Sequence, residues 1–211
     1  MIVKTLELGI LYTNCYIVMD ENTKEAVVID PAGDEEEIFA AIEELGAAVK
    51  YIMLTHAHFD HILACKALKD ATGAQIVLHE NDRDIMSEQY VVNFRPMLKG
   101  KYKEIFPDIL VKDRDCISFG NLTATFIHTP GHTSGSCCII IDDYVFSGDT
   151  LFRGSCGRWD LDGGNFEDIK KSLKLLYAMD KDYKVMPGHG PATTLFAEKE
   201  TNPYMQNALK S

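Results

Sequence analysis

Four short apolar runs in this sequence each break off into a loop that carries histidine or aspartate, and that recurrence limits the folds open to the chain. Tyr51-Ile52-Met53-Leu54 leads into Thr55-His56-Ala57-His58, and Thr125-Phe126-Ile127 into His128-Thr129-Pro130-Gly131-His132. Tyr144-Val145-Phe146 leads into Ser147-Gly148-Asp149, and Lys184-Val185-Met186 into Pro187-Gly188-His189. Short apolar runs bounded by turn residues read as buried strands. Loops at the ends of several strands can converge on one edge of a sheet, where α/β folds place their sites.

The rest of the chain reads as strands alternating with helices. Strands are expected at Lys4 to Leu8, Asn14 to Met19, Glu25 to Ile29, Val49 to Leu54, Gln75 to Leu78, Leu122 to Ile127, Ser136 to Ile141, Tyr144 to Phe146 and Lys184 to Met186. A helix over Asp34 to Leu45 has Asp34 as its cap, acids in its first turn and Gly46 as its stop. Further helices are expected over His61 to Ala71, Phe166 to Met179 and Phe196 to about Lys199, with Pro203 opening a tail. Glu80 to Asp113 is broken by Pro96, Gly100 and Pro107 and reads as a covering loop with short helical pieces. Such alternation indicates a layered α/β architecture, and 211 residues suit one substantial core, so residues 1–211 are expected to form a single domain.

The net charge of −11 repels phosphate backbones and argues against a nucleic-acid partner. No run is long and apolar enough to span a membrane, and the start has no export signal, so a cytoplasmic protein without a membrane partner is expected. The six cysteines form no C-x-x-C pair and are expected to be reduced and mostly buried. Cys137 and Cys138 are adjacent in an apolar run, so on a strand they point to opposite faces.

His56-Ala57-His58-Phe59-Asp60-His61 packs four potential ligands into six residues. Clustered imidazoles gain little without a cation, and histidine with carboxylate is a donor set that zinc prefers. Of the seven histidines, His132 and His189 also sit in glycine-flanked loops, while His79 and His128 read as structural.

The order His56-x-His58-x-Asp60-His61, then His132 in Thr129-Pro130-Gly131-His132-Thr133, then Asp149 in Gly148-Asp149-Thr150, then His189 in Pro187-Gly188-His189-Gly190 resembles the metallo-β-lactamase superfamily. The run from Gly148 to Asp160, with Gly154-Ser155-Cys156-Gly157-Arg158 inside it, resembles the glyoxalase II-like branch, that of hydroxyacylglutathione hydrolase. So does the ending Gly188-His189-Gly190-Pro191-Ala192-Thr193-Thr194, with Glu198 and Asn202-Pro203-Tyr204 beyond it. The resemblance implies a four-layer αββα metallo-β-lactamase sandwich. It implies that His56, His58 and His132 hold one metal, that Asp60, His61 and His189 hold a second, and that Asp149 bridges the two. Arg158 and Asp160 would brace the loop behind the bridging carboxylate, and Cys156 is not expected to act as a nucleophile.

The cofactors implied are two divalent metal ions, zinc foremost, with iron or manganese also suited to the donors. Two such ions against Asp60, Asp149 and a bridging hydroxide leave a charge of about +1, which suits an oxyanion and an anionic leaving group. Asp60 would orient the hydroxide while ligating. A thiol with a pKa near 8.5 leaves without a strong acid, so the expected activity is hydrolysis of a small-molecule thioester, an S-2-hydroxyacyl-thiol such as S-lactoylglutathione. The alternative is an iron-dependent persulfide dioxygenase on the same fold, which would use one iron. A departure from full-length glyoxalase II is also expected, namely a single domain without the C-terminal glutathione-binding helical domain. Tyr90, Asn93, Arg95, Lys99, Lys101 and Tyr102 in the irregular stretch are candidates for substrate contact.

Overall fold

The structure is a computed structural model and describes residues 1–86 and 104–210. The six candidate contact residues between Tyr90 and Tyr102 lie outside the described residues.

β1 (Ile2–Leu8), β2 (Thr13–Met19) and β3 (Glu25–Ile29) form an antiparallel meander. β4 (Ala48–Met53), β5 (Gln75–His79) and β6 (Ile109–Val111) continue the sheet in parallel, so the strand order is β1-β2-β3-β4-β5-β6. Parallel neighbours need crossovers. Helix α1 (Glu35–Leu45) supplies one between β3 and β4, and α2 (Phe59–Ile62) with α3 (Cys65–Thr72) supplies the next.

The second sheet contains β7 (Cys116–Phe119), β8 (Leu122–His128), β9 (Cys137–Ile141), β10 (Tyr144–Gly148), β13 (Lys184–Pro187) and β14 (Thr193–Thr194), in the order β14-β13-β10-β9-β8-β7. A small hairpin of β11 (Leu151–Phe152) and β12 (Ser155–Cys156) follows β10. Helix α4 (Phe166–Tyr177) connects it to β13, which pairs parallel to β10, and α5 (Leu195–Thr201) and α6 (Pro203–Ala208) close the described chain.

Side chains divide these elements into layers. On β2, Cys15, Ile17 and Met19 pack with Ile38, Ile62 and Leu68 of α1, α2 and α3, whereas Tyr16 and Val18 pack with Phe126, Ile139 and Phe146 of the second sheet. The period-2 alternation of a strand produces this division. On the far face of the second sheet, Cys138 and Val145 meet Ile169, Leu173, Leu176 and Met205 of α4 and α6. The order is therefore helix, sheet, sheet, helix, which is the αββα sandwich. Cys137 lies in the core between the sheets and Cys138 in the helical layer behind, as adjacent strand positions require. All six cysteines are free, and Cys116 alone is exposed.

Local readings differ in four places. The helix expected over His61 to Ala71 is two helices, α2 and α3, with α2 starting at Phe59 after an extended His58. Asp34 precedes α1, but its backbone is left-handed and its carboxylate accepts the Gly9 N–H at 2.7 Å instead of capping the helix. Pro203 starts α6 rather than a tail, since proline is tolerated at the first helical position and the Asn202 side chain caps Tyr204 and Met205. The strands β6 and β7 lie at sheet edges, where short, half-exposed segments carry little apolar periodicity.

Candidate metal centre

Every loop singled out in the sequence reaches one edge of the sandwich. The β4–α2 turn brings His56 and His58, and the first turn of α2 brings Asp60 and His61. The β8–β9 loop brings His132, the end of β10 brings Asp149, and the end of β13 brings His189. The two sheets are stitched together at this edge. Asn14 N–H donates to the Gly188 carbonyl at 2.7 Å, Thr13 pairs with His189, and Cys137 N–H donates to the Thr55 carbonyl at 2.9 Å.

Two groups of three donors form there. The ligand atoms of His56, His58 and His132 lie within 4.8 Å of one another, and so do those of Asp60, His61 and His189. Asp149 lies between the groups: Oδ2 is 3.4 Å from His132 Nε2 and 3.6 Å from His189 Nε2, and Oδ1 is 3.5 Å from His61 Nε2. All seven sequence candidates are thus brought together. Asp30, His56 and His61 form a further close group, but Asp30 is occupied as an acceptor and sits behind the rings.

Three of the rings, His56, His61 and His132, are oriented through Nδ1. Asp30 Oδ2 accepts from Thr55 Oγ1 at 2.6 Å and from His61 Nδ1 at 3.0 Å. The Thr55 hydroxyl then accepts from His56 Nδ1 at 3.1 Å. His132 Nδ1 donates to the Arg158 carbonyl at 2.7 Å. His58 instead turns Nδ1 inward, 2.8 Å from His132 Nε2. Asp60 Oδ2 accepts from Thr13 Oγ1 at 3.0 Å and lies 3.2 Å from His189 Nε2.

The donors fit a metal. His56 Nε2, His61 Nε2 and Asp149 Oδ1 are buried without a hydrogen-bond partner, which is costly unless a cation satisfies them. Carboxylate- or carbonyl-linked imidazoles presenting the opposite nitrogen are the arrangement that metal-binding histidines adopt. Glycine makes room for it: a Cβ at Gly188 would stand 2.2 Å from Asp149 Oδ1, and one at Gly148 would stand 2.3 Å from Thr55 Oγ1.

Electrostatically the two groups differ. Burial pulls the pKa of His56 and His58 well down, and neighbouring imidazoles pull it further, so these two rings are neutral and ready to ligate. Burial also opposes charge on His61, but Asp60, Asp149 and Asp30 outweigh it and hold its pKa at about 10. His189 is raised too, where burial is outweighed by the hydrogen bond to Asp60 and the charge of Asp149. Asp60 is lowered, because the surrounding histidines overcome the opposing effect of burial. In the absence of a cation, a proton on His61 offsets part of this carboxylate charge.

The remaining sequence candidates are placed as follows. Arg158 and Asp160 pair with each other at the surface, with Nε–Oδ1 at 2.7 Å, and it is the Arg158 backbone carbonyl that reaches His132. Cys156 is buried and its thiol is pushed up to about 12, which leaves it inert. His79 and His128 stack on each other at 4.0 Å, away from the two groups. Two buried carboxylates escaped sequence reasoning. Asp30 is one. Asp82 is the other: it accepts from Ala57 N–H at 3.1 Å, Thr133 Oγ1 at 2.7 Å and Gly135 N–H at 2.5 Å, tying the His56–His58 turn to the His132 loop. Asp30 follows an apolar strand just as Asp149 does, and that was the available signal.

A cavity of about 460 Å³ opens over the centre, lined by His58, Asp60, His132, Asp149 and His189 together with Leu11, Phe59, Phe152, Arg158 and Leu161.

An αββα sandwich with a nitrogen and oxygen donor cluster at the joined edge of its sheets defines the class. The chain belongs to the metallo-beta-lactamase superfamily, whose profile matches residues 8–189. The crystal structure of the BLEG-1 B3 metallo-beta-lactamase superposes with a TM-score of 0.89 at 32% identity, covering 97% of this chain and 99% of that one. That of ETHE1 from Myxococcus xanthus superposes with a TM-score of 0.81 at 30% identity, over 96% and 84% of the two chains. Hydroxyacylglutathione hydrolase GloC of Haemophilus influenzae is 30% identical over 203 residues, 92% of this chain and 93% of that protein. None of the described helices is long and apolar enough to cross a membrane.

Proposed function

We propose that this protein is a metal-dependent hydrolase of thioesters, with S-2-hydroxyacyl thiols such as S-lactoylglutathione as the first substrates to test. The observation that carries the reading is the assembly of a second donor group, Asp60, His61 and His189, beside the all-histidine group, with Asp149 between them. A single-iron dioxygenase would need only part of this set. The similarity to GloC supports the same choice.

In this reading His56, His58 and His132 hold one divalent ion, Asp60, His61 and His189 hold the other, and Asp149 contacts both. Bound there, the two ions would lower the pKa of a water and polarise the scissile carbonyl. The protein's own groups do the rest. Asp30, Thr55 and the Arg158 carbonyl fix the imidazoles. Asp60, restrained by Thr13 Oγ1, accepts a hydrogen bond from the attacking water and aims it. The described cavity lining has no lysine or tyrosine to act as an acid, which suits a thiolate leaving group because a thiol's pKa is near 8.5.

The test is elemental analysis beside a hydrolysis assay. Two metal ions per chain are expected, with thioester turnover abolished by a chelator and restored by zinc, iron or manganese. One iron per chain, no thioester turnover, and oxygen consumption with glutathione persulfide would overturn the proposal in favour of the dioxygenase.

A further inference from the structure

The turn joining β1 to β2 departs from ordinary turn chemistry. Turns favour glycine, proline, asparagine, aspartate and serine, yet this one carries Ile10, Leu11 and Tyr12, which are 49%, 41% and 70% exposed. Three adjacent exposed apolar side chains mark a contact surface more often than chance exposure does. Nor is the turn loose. Gly9 N–H is bonded to Asp34, Thr13 Oγ1 to Asp60, and Thr13 pairs with His189. Tyr12 is held at φ 55°, a left-handed conformation that a residue with a Cβ disfavours. The turn is thus fixed to the donor cluster itself.

Leu11 projects into the cavity over the centre and shares its lining with Phe59, Phe152 and Leu161. Among the described lining residues Arg158 is the one arginine or lysine, and Asp160 already holds its guanidinium by two bonds of 2.7 and 2.9 Å. Among the described residues the wall beside the donors is therefore apolar, and its one arginine at the rim has a carboxylate partner. A carboxylate-bearing tail gains little there, whereas an alkyl or aryl group leaves water for a fixed apolar surface.

We infer that the β1–β2 turn, through Leu11, together with Phe59, Phe152 and Leu161, selects substrates whose group beside the scissile carbonyl is apolar, so that unbranched acyl thioesters are preferred over lactoyl. This rests on the thioester reading proposed above and departs from it in the acyl group, placing lactoyl below unsubstituted chains. Leu11 is a specificity-determining residue in this scheme. Burying a methylene contributes about 0.8 kcal/mol, or about fourfold, when burial is complete. In an open cavity about two- to fourfold per methylene is expected.

Two measurements on the metal-loaded protein separate this inference from the reading beneath it. The first is kcat/KM for acetyl, butyryl, hexanoyl and lactoyl thioesters of one thiol. The second is calorimetric affinity for acetate, butyrate, hexanoate and lactate, the corresponding product acids. Both should rise with chain length, with lactoyl and lactate near the bottom. Leu11→Ser should flatten both slopes, while Leu110→Ser, on an exposed position of β6, should leave them unchanged. Turnover of all four thioesters without a chain-length slope, or a slope that survives Leu11→Ser, overturns the inference and leaves the thioester reading standing. Failure to turn over any thioester, with the Leu11-dependent slope in product-acid affinity intact, supports the apolar wall and removes the thioester reading.

Discussion

Replacing Asp30 with asparagine changes one charge and almost no volume, and it should disable the centre from behind. Asp30 is 1% exposed and uses both oxygens. Oδ1 accepts from Thr55 N–H at 2.8 Å, and Oδ2 accepts from Thr55 Oγ1 and His61 Nδ1. This acceptor-only carboxylate requires a proton on His61 Nδ1, so the proton that a metal would displace is the one on Nε2. Through the Thr55 hydroxyl it directs His56 in the same sense. In Asp30→Asn the amide oxygen keeps the bond to Thr55 N–H, and the NH2 then faces Thr55 Oγ1 and His61 Nδ1. Two donors cannot share that contact, so the His61 proton moves to Nε2, the ligating atom. Losing such an outer partner costs 10–100-fold in metal affinity. Since one carboxylate serves two rings, the upper end, about 100-fold or about 2.7 kcal/mol, is expected. Chelator competition gives the affinity of each site. Long-range nitrogen–proton NMR of the zinc-loaded protein gives the His61 tautomer, and melting of the metal-free form separates affinity from stability. Affinity within threefold of the parent, with the proton still on Nδ1, would refute the reasoning.

Three further outcomes follow from the geometry and charge of the same site. Asp149 approaches His61, His132 and His189, so Asp149→Ala should lower metal content at both sites whereas His61→Ala should mainly empty one; equal single-site loss in the two variants would reject a bridging role. With His61 raised from 6.5 to about 10 and His189 also raised, metal binding at pH 7 to 9 must expel protons, and its observed heat should differ between phosphate and Tris. By the same sign, the stabilising charge on His61 in the metal-free protein is complete below pH 6.5 and is lost as pH rises through about 10, so melting temperature should fall across that window; identical heats and a flat melting profile would contradict it.

A layered α/β architecture was legible because strands and helices alternate and four buried strands end in chemically distinctive loops, while the αββα order came from the resemblance that those loops carry. His56 to His61 announced itself by density. His132, Asp149 and His189 did so by following apolar runs. What stayed hidden was hidden for physical reasons. Asp30 and Asp82 act through bonds to residues 25 or more positions away, and apart from the apolar strand before Asp30 nothing local distinguishes them from turn aspartates. The break between α2 and α3 falls at Ala64, whose N–H donates to the Pro31 carbonyl at 3.0 Å, a long-range bond that helical periodicity cannot register. Arg158 read as a side chain with a task, yet its contact with His132 is made by its carbonyl, an atom that every residue possesses.

The joined edge of the two sheets also bears on how the protein is made. Each donor group mixes the halves: His56 and His58 from the first with His132 from the second, Asp60 and His61 from the first with His189 from the second. More than half the chain separates His61 from His189. A nascent chain that has released only its first sheet therefore offers an ion an incomplete grip. Capture by the first group has to await the β8–β9 loop and capture by the second the arrival of β13, and an ion held afterwards would act as a clasp between an early half and a late one. Metal supplied after synthesis should slow the parting of the two sheets, and so lengthen the life of the folded protein, without needing to guide its first steps.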